Sequence, residues 1–160
     1  MTPPVSRGYT VPVEEFAPRL AAPSEKLILV IDDDADVRSV IELAVQGEGF
    51  QVVTAVNGLD GMAKLALRAP DLIITDLMMP GQGGYEFMRG LPAADVGPIP
   101  VVVITGRVCD AALVATIREE ANVVELIVKP IRMPVLFRAL HKHLKTVESG
   151  AAESGDAGRE

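Results

Sequence analysis

The sequence predicts a three-layer α/β sandwich around a doubly wound, five-stranded parallel sheet. Three observations point there. Short runs of β-branched and aliphatic residues are apolar at successive positions, which suits strands covered on both faces. Stretches with helical period lie between these runs. The two patterns alternate as βαβαβαβαβα, and right-handed crossovers then distribute the helices over both faces of one sheet.

The strong strand runs are Leu27-Ile28-Leu29-Val30-Ile31, Leu72-Ile73-Ile74-Thr75 and Val101-Val102-Val103-Ile104. Weaker ones are Gln51-Val52-Val53-Thr54 and Leu126-Ile127-Val128. Between them, Val37, Val40, Ile41 and Ala44 form one helical stripe, and Leu59, Met62, Ala63 and Ala66 a second. A short helix is expected over Tyr85 to Arg89. Leu113, Val114 and Ile117, then Leu136, Leu140 and Leu144, form the remaining stripes. Asn57-Gly58 and Gly83-Gly84 supply turns between elements.

Composition bounds the rest. A chain of 160 residues holds one ordinary domain and not two full-sized ones. At 49% hydrophobic residues it can fill a core, and at 4% aromatic with no Trp that core is aliphatic. A net charge of −7 makes nucleic acid and anionic membrane poor partners. Cys109 is the lone cysteine, so neither an internal disulfide nor a cysteine zinc cluster can form. No signal peptide and no run long enough to span a membrane is evident, which leads us to expect a soluble, cytoplasmic protein.

The ends differ from the middle. Residues 1–25 carry scattered prolines and no period, and are expected to be a flexible leader. Residues 26–145 carry the alternating pattern. Residues 146–160 are rich in Glu, Ser, Gly and Ala and are expected to form a disordered acidic tail. No output domain is expected after the fifth helix.

Ligands of doubly wound folds bind beyond the carboxyl ends of the strands. Here the first strand runs into Asp32-Asp33-Asp34, the third into Asp76, the fourth into Thr105-Gly106 and the fifth into Lys129-Pro130. Clustered carboxylates need a cation or a proton to offset their repulsion. Hard oxygen ligands suit Mg²⁺, which keeps waters and readily adds a phosphoryl oxygen. A carboxylate beside such an ion can attack phosphorus, and a lysine and a hydroxyl can hold the phosphoryl oxygens.

These segments resemble the receiver domain of response regulators, the phospho-acceptor module of two-component signalling. The resemblance rests on Ile28 to Asp34, Pro70 to Gly81, Val102 to Gly106 and Ile127 to Pro130, and covers about three-quarters of the chain. It implies the flavodoxin-like strand order 2-1-3-4-5. It implies Asp76 as phospho-acceptor and Mg²⁺ as cofactor, held by Asp33, Asp76 and the backbone carbonyl of Met78, with Asp32 ligating through water or weakly. It makes Thr105 the switch hydroxyl, Lys129 the phosphoryl partner, and Lys129-Pro130 a cis bond. The implied function is a single-domain response regulator. It would take its phosphoryl group from a histidine kinase or histidine phosphotransfer protein, and signal by phosphorylation-dependent binding to a protein target or by phosphorelay. The chain would be no enzyme beyond turnover of its own phosphate.

Three residues before the lysine the family usually carries an aromatic; this chain has Leu126. Asn122-Val123 replaces the usual Gly-Ala, and Gly83 stands where Asp is common. Two other functions compete: a phosphohydrolase of the haloacid-dehalogenase type, with Asp32 as nucleophile and Asp34 two residues on, and a receiver-fold scaffold that works without phosphorylation. Asp34 reads best as a helix N-cap. His141 and His143 read as surface residues, and Cys109 as a small residue at a helix start.

Overall fold

A computed structural model of the chain describes residues 19–77, 79, 83–91, 94, 97–106, 111–120 and 122–148. Five strands, β1 (Leu27–Ile31), β2 (Gln51–Ala55), β3 (Leu72–Asp76), β4 (Val101–Thr105) and β5 (Val123–Val128), alternate with five helices, α1 (Ala35–Gly47), α2 (Gly58–Leu67), α3 (Gly84–Gly90), α4 (Ala111–Glu119) and α5 (Met133–Leu144). The strands are parallel and lie in the order β2-β1-β3-β4-β5, as expected. No helix among the described residues is long and apolar enough to cross a membrane.

Successive side chains of a strand point to opposite faces. Leu29, Ile31, Ile73, Val101 and Val103 therefore form one core layer with Leu65 of α2, Phe87 of α3 and Ile117 of α4. Ile28, Val30, Leu72, Ile74, Val102 and Ile104 form the other, with Ile41 and Val45 of α1 and Leu136, Leu140 and Leu144 of α5. All five residues of β1, β3 and β4 are buried, which is why those strands read as unbroken apolar runs. Each fully buried Ile or Leu contributes roughly 1.5–3 kcal/mol relative to exposure.

Several elements depart from expectation. The stripe of α2 is turned: Gly58, Gly61 and Leu65 face inward, while Leu59 is 68% exposed. The helix lies so close to the sheet that a Cβ on Gly61 would sit 2.6 Å from Ile31 Cδ1. A count of apolar side chains does not register a glycine face. In α1, Val45 replaces Val40 on the buried arc; Val40 is 55% exposed. Strand β5 begins at Val123, three residues before the expected run, and the β4–β5 register slips between Val101 and Val102. A bulge sets an extra residue on β5 and blurs the alternation.

The expected leader and tail boundaries also move outward. Residues Pro23–Glu25 form a 3-10 turn, and Ala21 makes a parallel bridge with Thr146. Ala21 N donates to Lys145 O at 2.9 Å and Val147 N donates to Ala21 O at 3.2 Å. These backbone bonds hold segments that lack any apolar period. The remainder of the leader and tail, residues 1–18 and 149–160, lies outside the described residues, as does Cys109.

Candidate functional site

The side-chain parity that sorts the core also builds the site. Asp32 continues the Ile28-Val30 face of β1, Asp76 the Leu72-Ile74 face of β3, and Lys129 the Ile127 face of β5. All three emerge at the carboxyl edge on the side of α1 and α5. Register sets Asp32 level with Asp76 and Lys129 two residues beyond them: Val30 pairs with Ile74, Asp76 with Ile104, and Ile104 with Ile127. Lys129 starts two strands away from β3, a separation of roughly 10 Å that its long side chain spans over β4. Its Nζ donates to Asp76 Oδ2 at 2.9 Å and to Asp32 Oδ2 at 3.4 Å.

Asp32 is 2% exposed and committed at every polar atom. Its N–H donates to Ala55 O at 3.2 Å. Its carbonyl accepts from Arg38 Nη1 at 2.8 Å, and its Oδ1 accepts from Asp34 N at 2.9 Å. Asp34 caps α1, accepting from the backbone N–H groups of Asp36 and Val37. That cap occupies the second carboxylate that a hydrolase with Asp32 as nucleophile would use.

Carboxylate oxygens of Asp32, Asp33 and Asp76 lie within 4.8 Å of one another, with Asp33 exposed and the other two buried. Such a set fits a divalent cation with open positions for water. Burial raises the Asp32 carboxyl above its ordinary 3.8, and the charge of Asp76 adds to this; the Asp34 N–H and Lys129 pull the other way without prevailing. Burial would lower Lys129, but its hydrogen bond to Asp76 and the charge of Asp32 outweigh that and leave it above 10.5. Its share of stability is therefore complete below 10.5 and is lost as pH rises through the raised value.

Asp32 supplies a prediction of opposite character. Its raised value means that ionisation costs the fold stability as pH climbs from 3.8 through that value. Without divalent cation, Asp32→Asn is expected to melt higher than the native chain at neutral pH. The gap should widen as pH rises through the Asp32 titration and then level off. Thermal melts at a series of pH values in a chelating buffer measure this; a gap that shrinks with rising pH would contradict it.

Thr105 ends β4 with its side chain on the other face, 1% exposed, and its carbonyl accepts from Lys129 N at 2.8 Å. Leu126 pairs with Val103 and packs, half-buried, against that same layer. Lys129-Pro130 is cis. Met78 lies outside the described residues. Two contributors escaped the sequence reading: Arg38, a charge in an ordinary helical turn, and Gly84. A Cβ on Gly84 would overlap the carbonyl oxygen of Asp76 and lie 2.9 Å from its carbon. Gly83-Gly84 signalled a turn; that it also lets α3 start against the Asp76 peptide is visible only in three dimensions.

The histidines differ from expectation. His141 is buried at 4% exposure, held by Glu48 and Thr146; His143 is half-buried beside Glu125 at 3.2 Å. His141 neighbours Leu140 at the edge of the inward stripe of α5, and the end of α1 covers it.

Two buried carboxylates bridged by a lysine thus stand at the carboxyl edge of a doubly wound sheet. The response regulator receiver domain family matches residues 28–141, and the chain belongs to that family. It is 32% identical over 131 residues to the transcriptional regulatory protein AfsQ1 of Streptomyces coelicolor, covering 82% of this chain and 56% of that protein. It is 30% identical over 126 residues to the DNA-binding response regulator MtrA of Mycobacterium tuberculosis, covering 79% of this chain and 54% of that one. The chain thus spans about half the length of these relatives. Among solved structures, a response regulator receiver protein from Pseudomonas putida superposes with a TM-score of 0.67 at 27% identity, covering 76% of this chain and 98% of that one. The chemotaxis protein CheY4 of Vibrio cholerae shares the fold, with a TM-score of 0.66 at 24% identity and coverage of 73% and 97%.

Proposed function

We propose that this receiver domain accepts a phosphoryl group on Asp76, with Mg²⁺, from a histidine kinase or histidine phosphotransfer protein. It then signals by phosphorylation-dependent protein binding or by passing the group on. The observation that carries this reading is the Lys129 bridge to Asp76 and Asp32, 2.9 and 3.4 Å long, inside a receiver family member.

Asp32, Asp33 and Asp76 would hold the ion, which when bound neutralises charge on the phosphoryl oxygens. An oxygen of Asp76 forms the new bond to phosphorus. The bond from phosphorus to the donor's imidazole nitrogen breaks, and its electron pair stays on that nitrogen. Lys129 turns from the carboxylate to a phosphoryl oxygen, and the Thr105 hydroxyl swings over from the other face to donate to another. A groove of about 310 Å³ lies beside Lys129, between Val37, Val40 and Ile41 of α1 and Ile131 and Met133, and gives the donor protein an apolar seat next to the acceptor. Leu126 has no ring to repack, so Thr105 carries most of the response.

Mg²⁺ binding tests the site. With few protein ligands the affinity is expected to be weak, and binding raises the melting temperature by mass action. Asp33→Ala should lose that rise and most phosphoryl uptake from a small acyl-phosphate donor. If Asp33→Ala responds to Mg²⁺ as the native chain does, Asp33 is no ligand. If neither chain takes up phosphate with Mg²⁺ present, the phosphorylation-independent scaffold is the better reading.

A further inference from the structure

The Glu48–His141–Thr146 cluster has no part in that chemistry. It lies at the opposite, amino-terminal foot of the sheet. Glu48 is the C-cap of α1, His141 lies in the last turn of α5, and Thr146 follows a residue, Lys145, whose φ of 53° swings the chain off the helix. His141 Nε2 is 2.9 Å from Glu48 Oε2 and its Nδ1 is 2.7 Å from Thr146 Oγ1. An ionised carboxylate only accepts, so Nε2 carries a hydrogen; in the neutral ring Nδ1 then accepts from the Thr146 hydroxyl. The ring also packs on Phe50, centroid to centroid 5.1 Å. Thr146 is 4% exposed, and its N–H donates to His141 O at 3.2 Å.

The same Thr146 bridges Ala21. Ala21 N donates to Lys145 O, and the Ala21 carbonyl accepts from Val147 N. A little further on, Pro23 lies against Gly49 at the end of α1, within 3.3 Å of where a Cβ would stand. The entering and leaving segments are thus fastened to each other and, through one imidazole, to both helices of that layer.

We propose that Glu48, His141 and Thr146 form a clasp. It ties segments 19–22 and 145–147 to the feet of α1 and α5 as one unit, so the two segments come loose together. It also pins α1 to α5 at the end away from the groove beside Lys129. Peeling off the leaving segment would break the bond between the Thr146 hydroxyl and the His141 ring and the bond from Thr146 N to the His141 carbonyl, and the entering segment would lose its strand partner at the same moment.

Amide exchange on the full chain tests this, with Thr146→Val and Thr146→Ser against the native protein. Valine keeps the backbone bridge and the shape but removes the hydroxyl. It should speed exchange at both Ala21 and Val147 by about tenfold and by the same factor, a loss typical of one buried hydrogen bond. Amides of β1 should be unchanged. Serine keeps the hydroxyl and should restore native rates at both. Native rates in Thr146→Val, acceleration at only one of the two amides, or equal loosening by serine and valine would each overturn the clasp.

Discussion

Gly84→Ala is expected to damage both the fold and the acceptor. The added Cβ would overlap the Asp76 carbonyl oxygen, and the next nearest atoms are the Asp76 carbonyl carbon at 2.9 Å and Leu77 Cα at 3.1 Å. All three belong to backbone, so no side chain can rotate away. Overpacking of this kind costs about 1–3 kcal/mol. The strain falls on the peptide that aims Asp76, and a shift of about 1 Å there can cost on the order of a hundredfold in rate. Gly83→Ala is the milder comparison, because among the described residues its Cβ would come no nearer than 3.3 Å, to the carbonyl oxygen of Leu77, a tight contact without overlap. Urea melts and phosphoryl uptake on both variants check this. If Gly84→Ala keeps native stability and uptake, the close approach of α3 to Asp76 does not matter.

Lys129→Ala should separate metal binding from phosphoryl uptake. Lys129 Nζ bonds to an oxygen of Asp76 and one of Asp32, two of the carboxylates that would hold a cation. Removing it leaves the carboxylates uncompensated, so Mg²⁺ should bind more tightly and raise the melting temperature further. Uptake should nevertheless fall by about 10²–10³, the loss seen when one donor to a developing anion is removed. A variant in which both binding and uptake fall would mean that Lys129 shapes the site and does not act on the phosphoryl group.

The strands and the residues at their ends were legible because burial on both faces writes itself as unbroken apolar runs, and a polar residue that ends such a run stands out. Asp32, Asp76, Thr105 and Lys129 stand out that way. What stayed hidden depends on contacts between elements distant in sequence. Gly61 and Gly84 work by having no side chain. Arg38 looks like any helical charge until the Asp32 carbonyl is placed above it. His141 reads as surface until the end of α1 and the turn at Lys145 close over it, and Thr146 lies in a segment with no period at all.

Phosphoryl transfer to Asp76 is the step on which the proposed function stands or falls. Its most direct test is to treat the full chain with a small acyl-phosphate donor and Mg²⁺ and map the modified residue by mass spectrometry after reductive trapping of the acyl phosphate. One modification is expected, at Asp76, absent without Mg²⁺ and absent in Asp76→Asn. A modification at Asp32 or on a hydroxyl in the native chain would contradict it.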